Sequence, residues 1–253
     1  LVTIGALVLL GRRLRPGDAG KRLGLALGWA WAACPLTLLA LMMHSNDGLI
    51  AMLSVLSLLV FGSPAARGAV LGLAATAKFA PAALLGLYAG QRDRGTKGTL
   101  QCLGAFALVA GSAIVLYLPS GGLSEFYHHT LGFQLTRSDV FSPWGLYPGL
   151  DALKTALEVA AIALFATLAF IPRRRSLTQV CALAGAVTIA IQLPAEHWFY
   201  YFIVWFMPFV LVAFLARGDD DGEAGDVGKA PVTATESSTT AVEHTPEPIP
   251  AGA

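Results

Sequence analysis

The chain carries a series of apolar runs, each of about 17 to 25 residues, separated by short polar connections, and this repetition leaves few folds open to it. A helix of that length rises about 30 Å, the thickness of a bilayer's hydrocarbon core. Inside hydrocarbon each backbone N–H and C=O must be paired within the segment or with a neighbour, so the runs read as helices. They are Leu23 to Met43, Leu49 to Ala66, Thr99 to Leu118, Leu150 to Ile171, Leu177 to Leu193 and Trp198 to Ala216. A further piece, Leu1 to Leu10, stops at Arg12, Arg13 and Arg15 as the inner end of a span would, but is too short to cross. With 55% hydrophobic residues, 13% charged residues and a mean hydropathy of +0.64, the composition does not suit a soluble domain. The expected fold is an all-α, polytopic transmembrane helix bundle in the plasma membrane.

One cation interrupts this pattern. Lys78 lies in the middle of the apolar stretch Ala65 to Ala89. A charge at such depth costs about 2.5 to 3.5 kcal/mol on insertion scales, and the residues that bear this cost usually serve a function. Short cytoplasmic loops carry the excess of Lys and Arg. A single span over residues 68 to 90 would put Arg67 on one side and Arg92, Arg94 and Lys97 on the other, and would send Arg173, Arg174 and Arg175 outside. Two half-helices, Arg67 to Ala77 and Phe79 to Tyr88, forming a hairpin broken around Lys78 and Pro81, restore the parity. Thirteen of the seventeen basic residues then share the cytoplasmic side. Each limb rises about 16 Å, which places the apex near mid-bilayer. Pro81 has no N–H to donate and biases Ala80 away from helix. Lys78 would face an extracytoplasmic cavity as a positive charge suited to a phosphate. The competing reading is one tilted, kinked span with Lys78 snorkelling to an interface.

The longest polar connection, Pro119 to Gly149, holds Glu125, Tyr127, His128, His129, Gln134, Arg137, Asp139, Trp144 and Tyr147. Loops of this length more often carry function, although the aromatics also fit an interfacial belt. His128 and His129 diverge by about 100° on a helix, so no shared metal is expected. On the same outer face, Asn46 and Asp47 precede one run, and Glu196 and His197 precede the last. Either pair can start a helix or line a cavity. Glu158 is spaced to pair with Lys154 at i, i+4, a structural role. Cys34, Cys102 and Cys181 all lie in apolar runs and read as packing residues, with no metal or disulfide spacing.

Charge divides the chain at Gly218. Sixteen basic and eight acidic residues precede it, while eight acidic residues and Lys229 alone follow, giving +8 and −7. Residues 1–217 are expected to form the transmembrane domain, and residues 218–253, which lack any apolar period, a disordered acidic cytoplasmic tail. The chain begins at Leu1 without an initiator methionine or a signal-peptide n-region, and is expected to be the C-terminal part of a longer protein.

The run SNDGLIAMLSVLSLLVFGSPAARGAVLGLAATAKFAPAALL resembles the central part of multispanning glycosyltransferases of the C superfamily, especially bacterial relatives of glycosyltransferase family 87. TLGFQLTRSDVFSPWGL and EHWFYYFIVWFMPFVLVAFL are similar to the later outer loop and last span of that group, so the likeness covers roughly residues 24 to 216. It implies transfer of a sugar, commonly mannose, from a polyprenyl-phosphate carrier in the bilayer to a glycan or glycolipid acceptor on the extracytoplasmic face. It implies that Lys78 contacts the carrier phosphate, with Asn46, Asp47, His128, Gln134, Arg137, Asp139, Trp144, Glu196 and His197 as possible cavity-lining residues. The family's catalytic base is an acidic residue in a first outer loop, a segment this sequence does not contain, so the base is unassigned and the piece is expected to be inactive alone. No cofactor, metal or nucleic acid is expected, and no nucleotide-binding motif occurs. The rival expectation is a transporter or flippase of lipid-linked sugars, which would show a second interrupted helix in a corresponding repeat, where the sequence shows one interruption.

Overall fold

Proline, more than hydropathy, decides where the apolar runs become separate helices. The computed structural model describes residues 1–91, 94–133, 142–171, 174–196 and 199–217. Its helices, in chain order, are α1 (Val2–Leu14), α2 (Gly17–Ala33), α3 (Pro35–Met42), α4 (Asp47–Leu59), α5 (Pro64–Ala77), α6 (Leu85–Ala89) and α7 (Gly95–Leu116). They continue with α8 (Gly122–Tyr127), α9 (Pro143–Leu146), α10 (Asp151–Phe170), α11 (Leu177–Gln192) and α12 (Ile203–Arg217), and no strand occurs among the described residues. The expected run Leu23 to Met43 is two helices bent by 52°, because Pro35 cannot donate and holds Cys34 extended. The expected run Leu49 to Ala66 likewise stops at Leu59, and Ser63 accepts from the Ala66 amide to start α5 at Pro64.

Among the described residues three helical stretches are long and apolar enough to cross a membrane, Gly95–Leu116, Asp151–Phe170 and Tyr200–Arg217, and the bent pair α2 and α3 makes a fourth if it is one span. The apolar helices Asp47–Leu59 and Leu177–Gln192 are shorter. On α7 and α10 most side chains point outward, including Leu100, Leu108, Val115, Val159 and Ile162. Exposed rows of this kind are costly in water and suit hydrocarbon, which gives the chain the character of a membrane protein. The core runs through Leu7, Leu10, Leu27, Ile50, Leu58, Leu71, Leu87, Val180 and Phe209. Cys102 and Cys181 are buried in it and Cys34 is half-buried.

The chain reverses at Lys78. Its backbone is extended (φ −156°, ψ 148°), which ends α5, and a 3-10 turn over Ala80–Leu84 leads into the short α6. Tyr88 then meets the Phe61 ring edge-on at 5.1 Å and shares a 2.7 Å hydrogen bond with the Ser57 hydroxyl, beside the start of α5. The second limb is therefore a 3-10 turn and a short α segment rather than the expected half-helix Phe79 to Tyr88. Pro81 is the second residue of that turn, where a missing N–H costs no helical hydrogen bond, so Ala80, which was expected to be biased away from helix, is instead the turn's first residue.

Helices α5 and α7 lie side by side and run in the same direction: Gly68 packs on Cys102 and Gly72 on Phe106. The same offset brings Lys78 level with Ser112, about one helical turn from the end of α7 rather than at its middle. The tip of the hairpin thus lies near one end of the bundle, because α5 begins at Pro64, ahead of the expected limb. A Cβ on Gly68 would stand 2.1 Å from the Cys102 carbonyl oxygen. Gly68→Val is accordingly expected to cost about 1–3 kcal/mol through forced separation of the two helices. Thermal unfolding of the detergent-purified protein measures this, with Gly104→Val, whose added Cβ meets nothing within 4 Å, as the comparison. Equal effects at the two sites would contradict the packing argument.

Basic residues gather at one end of the bundle. Arg13 donates to the Leu59 carbonyl and Arg15 to the Ala216 carbonyl. Gln91 donates to the Arg175 carbonyl at 3.0 Å, and Thr99, near the start of α7, donates to the Ala89 carbonyl at 2.9 Å. Arg67, expected to open the first half-helix on the cytoplasmic side, lies inside the bundle. It is fully buried in the first turn of α5, donates to the Phe61 carbonyl at 3.0 Å and lies over the Phe61 ring at 5.0 Å. Its charged group serves the carbonyl-rich end of α4.

Candidate functional site

At the opposite end, the tip of the reversal meets the start of α4 and the start of α12. Asp47 is the first residue of α4 and is 0% exposed. Its Oδ1 accepts from Lys78 Nζ at 2.5 Å and from Trp205 Nε1 at 2.6 Å, and its Oδ2 accepts from the Ser45 hydroxyl. Helix capping, one of the two readings open for Asn46 and Asp47, is not what their side chains do. The Asp47 amide donates instead to Ser45 Oγ at 3.1 Å, and the Asn46 amide group donates to the Ala77 carbonyl at 3.2 Å, which ties α4 to the end of α5.

Two rings complete the setting of Lys78. Phe202 and Trp205 stack on each other with centroids 4.5 Å apart, and the ammonium stands 4.8 Å from each. Cations are attracted to ring faces at such distances. The extended backbone at Lys78 and the 3-10 turn over Tyr200–Phe202 together make this approach possible. The side chain of Lys78 is 27% exposed, and what it faces is a cavity of about 510 Å³. Hairpin-tip residues Thr76 to Ala80 form one wall, Ile191, Gln192 and Ala195 a second, and Tyr201, Phe202 and Trp205 a third. Asp47 and Ser45 close it from α4's side.

The site therefore differs from a lone cation. A buried carboxylate shares the lysine's charge, and the ammonium keeps donors directed away from Asp47. An anion entering the cavity meets a cation, an indole and a phenyl ring together, while Asp47 restrains how far Lys78 can move toward it.

Of the other expected lining residues, those described lie elsewhere. Glu196 accepts from the Lys154 ammonium, and Lys154 stands 3.9 Å from Glu158, so the expected i, i+4 pair is the longer of two contacts. Glu196 directly follows the wall residue Ala195 without lining the cavity. His128 opens a π turn (His128–Gly132), exposed, with its ring 5.6 Å from Tyr127's. Nearby, Glu125 stands 3.6 Å from His129 and accepts from the Gly121 amide at 2.7 Å. Trp144 donates to the Leu193 carbonyl at 3.0 Å, joining α9 to the end of α11. Gln134, Arg137, Asp139 and His197, like the tail from residue 218, lie outside the described residues. No group of three His, Cys, Asp or Glu side chains able to hold a metal occurs among the described residues.

Sequence reasoning passed over Trp205, Phe202 and Gln192. One signal was present for the first two: Tyr201, Phe202 and Trp205 recur at i, i+1 and i+4, on one side of a helix. For Gln192 the signal was an amide near the end of the apolar run Leu177 to Leu193, since a polar group in such a place needs a partner. No protein-family model, curated protein or solved structure matches the chain.

Proposed function

We propose that the protein is an integral-membrane glycosyltransferase which moves a sugar, mannose in the reading the family resemblance favours, from a polyprenyl-phosphate carrier to a glycan or glycolipid acceptor. The work is done on the extracytoplasmic side of the plasma membrane. The observation that carries this reading is the Lys78 ammonium, held at a cavity of about 510 Å³ at the end of the bundle away from the basic residues.

In the transfer, an acceptor hydroxyl oxygen bonds to the anomeric carbon while the bond from that carbon to the carrier phosphate oxygen breaks. The electron pair leaves with the phosphate, and a base takes the hydroxyl proton. Lys78 supplies positive charge where the leaving group becomes more negative, the kind of contribution that lowers the barrier only if the cation is already in place. Asp47, Trp205 and Phe202 keep it in place. None of the described residues is assigned as the base.

A transporter of lipid-linked sugars is the second reading, and one observation favours it. The break between α2 and α3 at Pro35 is a second interrupted helix beside the reversal at Lys78, as transport folds often have. The complete protein, reconstituted in vesicles with polyprenyl-phosphate mannose and a glycolipid acceptor, separates the two. A new glycosidic bond formed without net carrier movement supports the transferase. Carrier crossing with no new bond would replace it with the transporter.

A further inference from the structure

The three side-chain donors on the Asp47 carboxylate are not equivalent. Lys78 and Trp205 share Oδ1, at 2.5 and 2.6 Å, while the Ser45 hydroxyl donates to Oδ2. Lys78 alone among them is charged, and it alone is free to turn. Its ammonium ends a flexible four-carbon stem, carries three N–H bonds that can swivel, and belongs to a side chain 27% exposed at the cavity. The indole N–H of Trp205, in contrast, is fixed in the plane of a ring that is itself wedged. Trp205 is 8% exposed and stacks on Phe202. With Ile50, Ser54, Pro81, Thr188 and Phe209 it encloses a void of only about 10 Å³, too small for the ring to swing into. Contacts from α4, the hairpin turn, α11 and α12 therefore hold the indole, and none of them uses the Lys78 side chain.

This difference matters when an anion enters the cavity. As the ammonium turns toward the anion, Asp47, 0% exposed, gives up its cationic donor. A buried carboxylate is costly to leave without donors, and hydrogen bonds to it offset much of that cost. The indole and the Ser45 hydroxyl stay behind, one on each oxygen. Two parts of Trp205 thus have separate duties. Its ring face attracts the ammonium from 4.8 Å, a task that Phe202 shares at the same distance. Its N–H reaches Asp47, which a phenyl ring cannot do.

We infer that Trp205 is a positioning residue acting through Asp47: its indole N–H holds the buried carboxylate while Lys78 turns to a phosphate in the cavity, and so sets how readily the lysine is released to a ligand. This rests on the proposed function and adds to it the group that lets the counter-ion yield. Removing the N–H leaves Asp47 more dependent on Lys78, so the ligand has to draw the ammonium from a stronger hold. The effect requires the negative charge at residue 47, which separates it from any change in the shape of the cavity wall.

The test is equilibrium binding of a long-chain polyprenyl phosphate to the complete purified protein in detergent, over a cycle of wild type, Trp205→Phe, Asp47→Asn and the double variant. Trp205→Phe keeps an aromatic face and loses the N–H, and is expected to bind about tenfold more weakly than wild type. On the Asp47→Asn background, where no buried charge needs the donor, the same substitution is expected to change affinity less than twofold. Benzothienylalanine in place of Trp205 keeps the bicyclic shape without the N–H. It is expected to reproduce both results, and it replaces Trp205→Phe in the cycle if that variant does not fold. Equal losses on the two backgrounds would make Trp205 a wall of the cavity and nothing more, overturning the inference while the proposed function stands. Unchanged or tighter binding without the N–H would overturn it as well, because Asp47 would then release Lys78 unaided. A wild type that binds no polyprenyl phosphate removes the proposed function, and this inference with it.

Discussion

Lys78→Met is expected to destabilise the protein by about 3–5 kcal/mol, the range found when one partner of a buried ion pair is removed. The cost arises at Asp47. It is 0% exposed, and without Lys78 its negative charge would be left to the Trp205 N–H and the Ser45 hydroxyl. Asp47→Asn is expected to cost less, about 1–2 kcal/mol, because the side-chain oxygen can still accept from Trp205 and because Lys78 retains the cavity and two ring faces. The asymmetry follows from exposure, 27% for the lysine against 0% for the aspartate. The double variant Lys78→Met with Asp47→Asn should therefore be more stable than Lys78→Met alone. Chemical or thermal unfolding of the four proteins in one detergent supplies the cycle. Additive losses, or a double variant worse than either single one, would mean that the pair does not hold α4 to the hairpin.

How far these features could be read from sequence depends on the range of the physics behind them. The reversal at Lys78 was legible because two local rules agreed: a mid-run cation is costly, and a single span would have split Arg67 from Arg94 and Lys97. In the structure those ends do come together, with Tyr88 back against Phe61. The internal boundaries at Pro35 and Pro64 were also local, but hydropathy averaged over a window passes across a proline that the backbone cannot ignore. The site's other half was out of reach for a different reason. Asp47 at a helix start is equally well explained by capping, and only a contact with Trp205, 158 residues away, distinguishes the roles. Arg67 shows the same limit: a basic residue at the start of a half-helix reads as a cytoplasmic charge, whereas Phe61 gives it both a carbonyl and a ring inside the bundle.

The second large effect concerns the ligand rather than the fold. On the proposed function, Asp47 and the carrier phosphate would both seek the Lys78 ammonium, and the carboxylate would be a resident counter-ion that the ligand must share or displace. Asp47→Asn removes that competitor while keeping the shape of the side chain and its contact with Trp205. Long-chain polyprenyl phosphate is expected to bind this variant about tenfold more tightly than wild type, a change of about 1.4 kcal/mol. Lys78→Met is expected to bind at least a hundredfold more weakly, and the neutral polyprenol should distinguish none of the three proteins. Transfer should not follow affinity. Lys78→Met loses the charge proposed to stabilise the leaving phosphate, and the loss of a comparable electrostatic group costs about 100- to 1,000-fold in turnover. Asp47→Asn holds the spent carrier phosphate as firmly as the donor, so its turnover falls while its apparent affinity rises, as expected when ground state and product are favoured along with the transition state. Binding measured by equilibrium titration, beside initial rates with the same carrier, separates these outcomes. Weaker phosphate binding by Asp47→Asn would show that the carboxylate orients Lys78 for the ligand and does not compete with it.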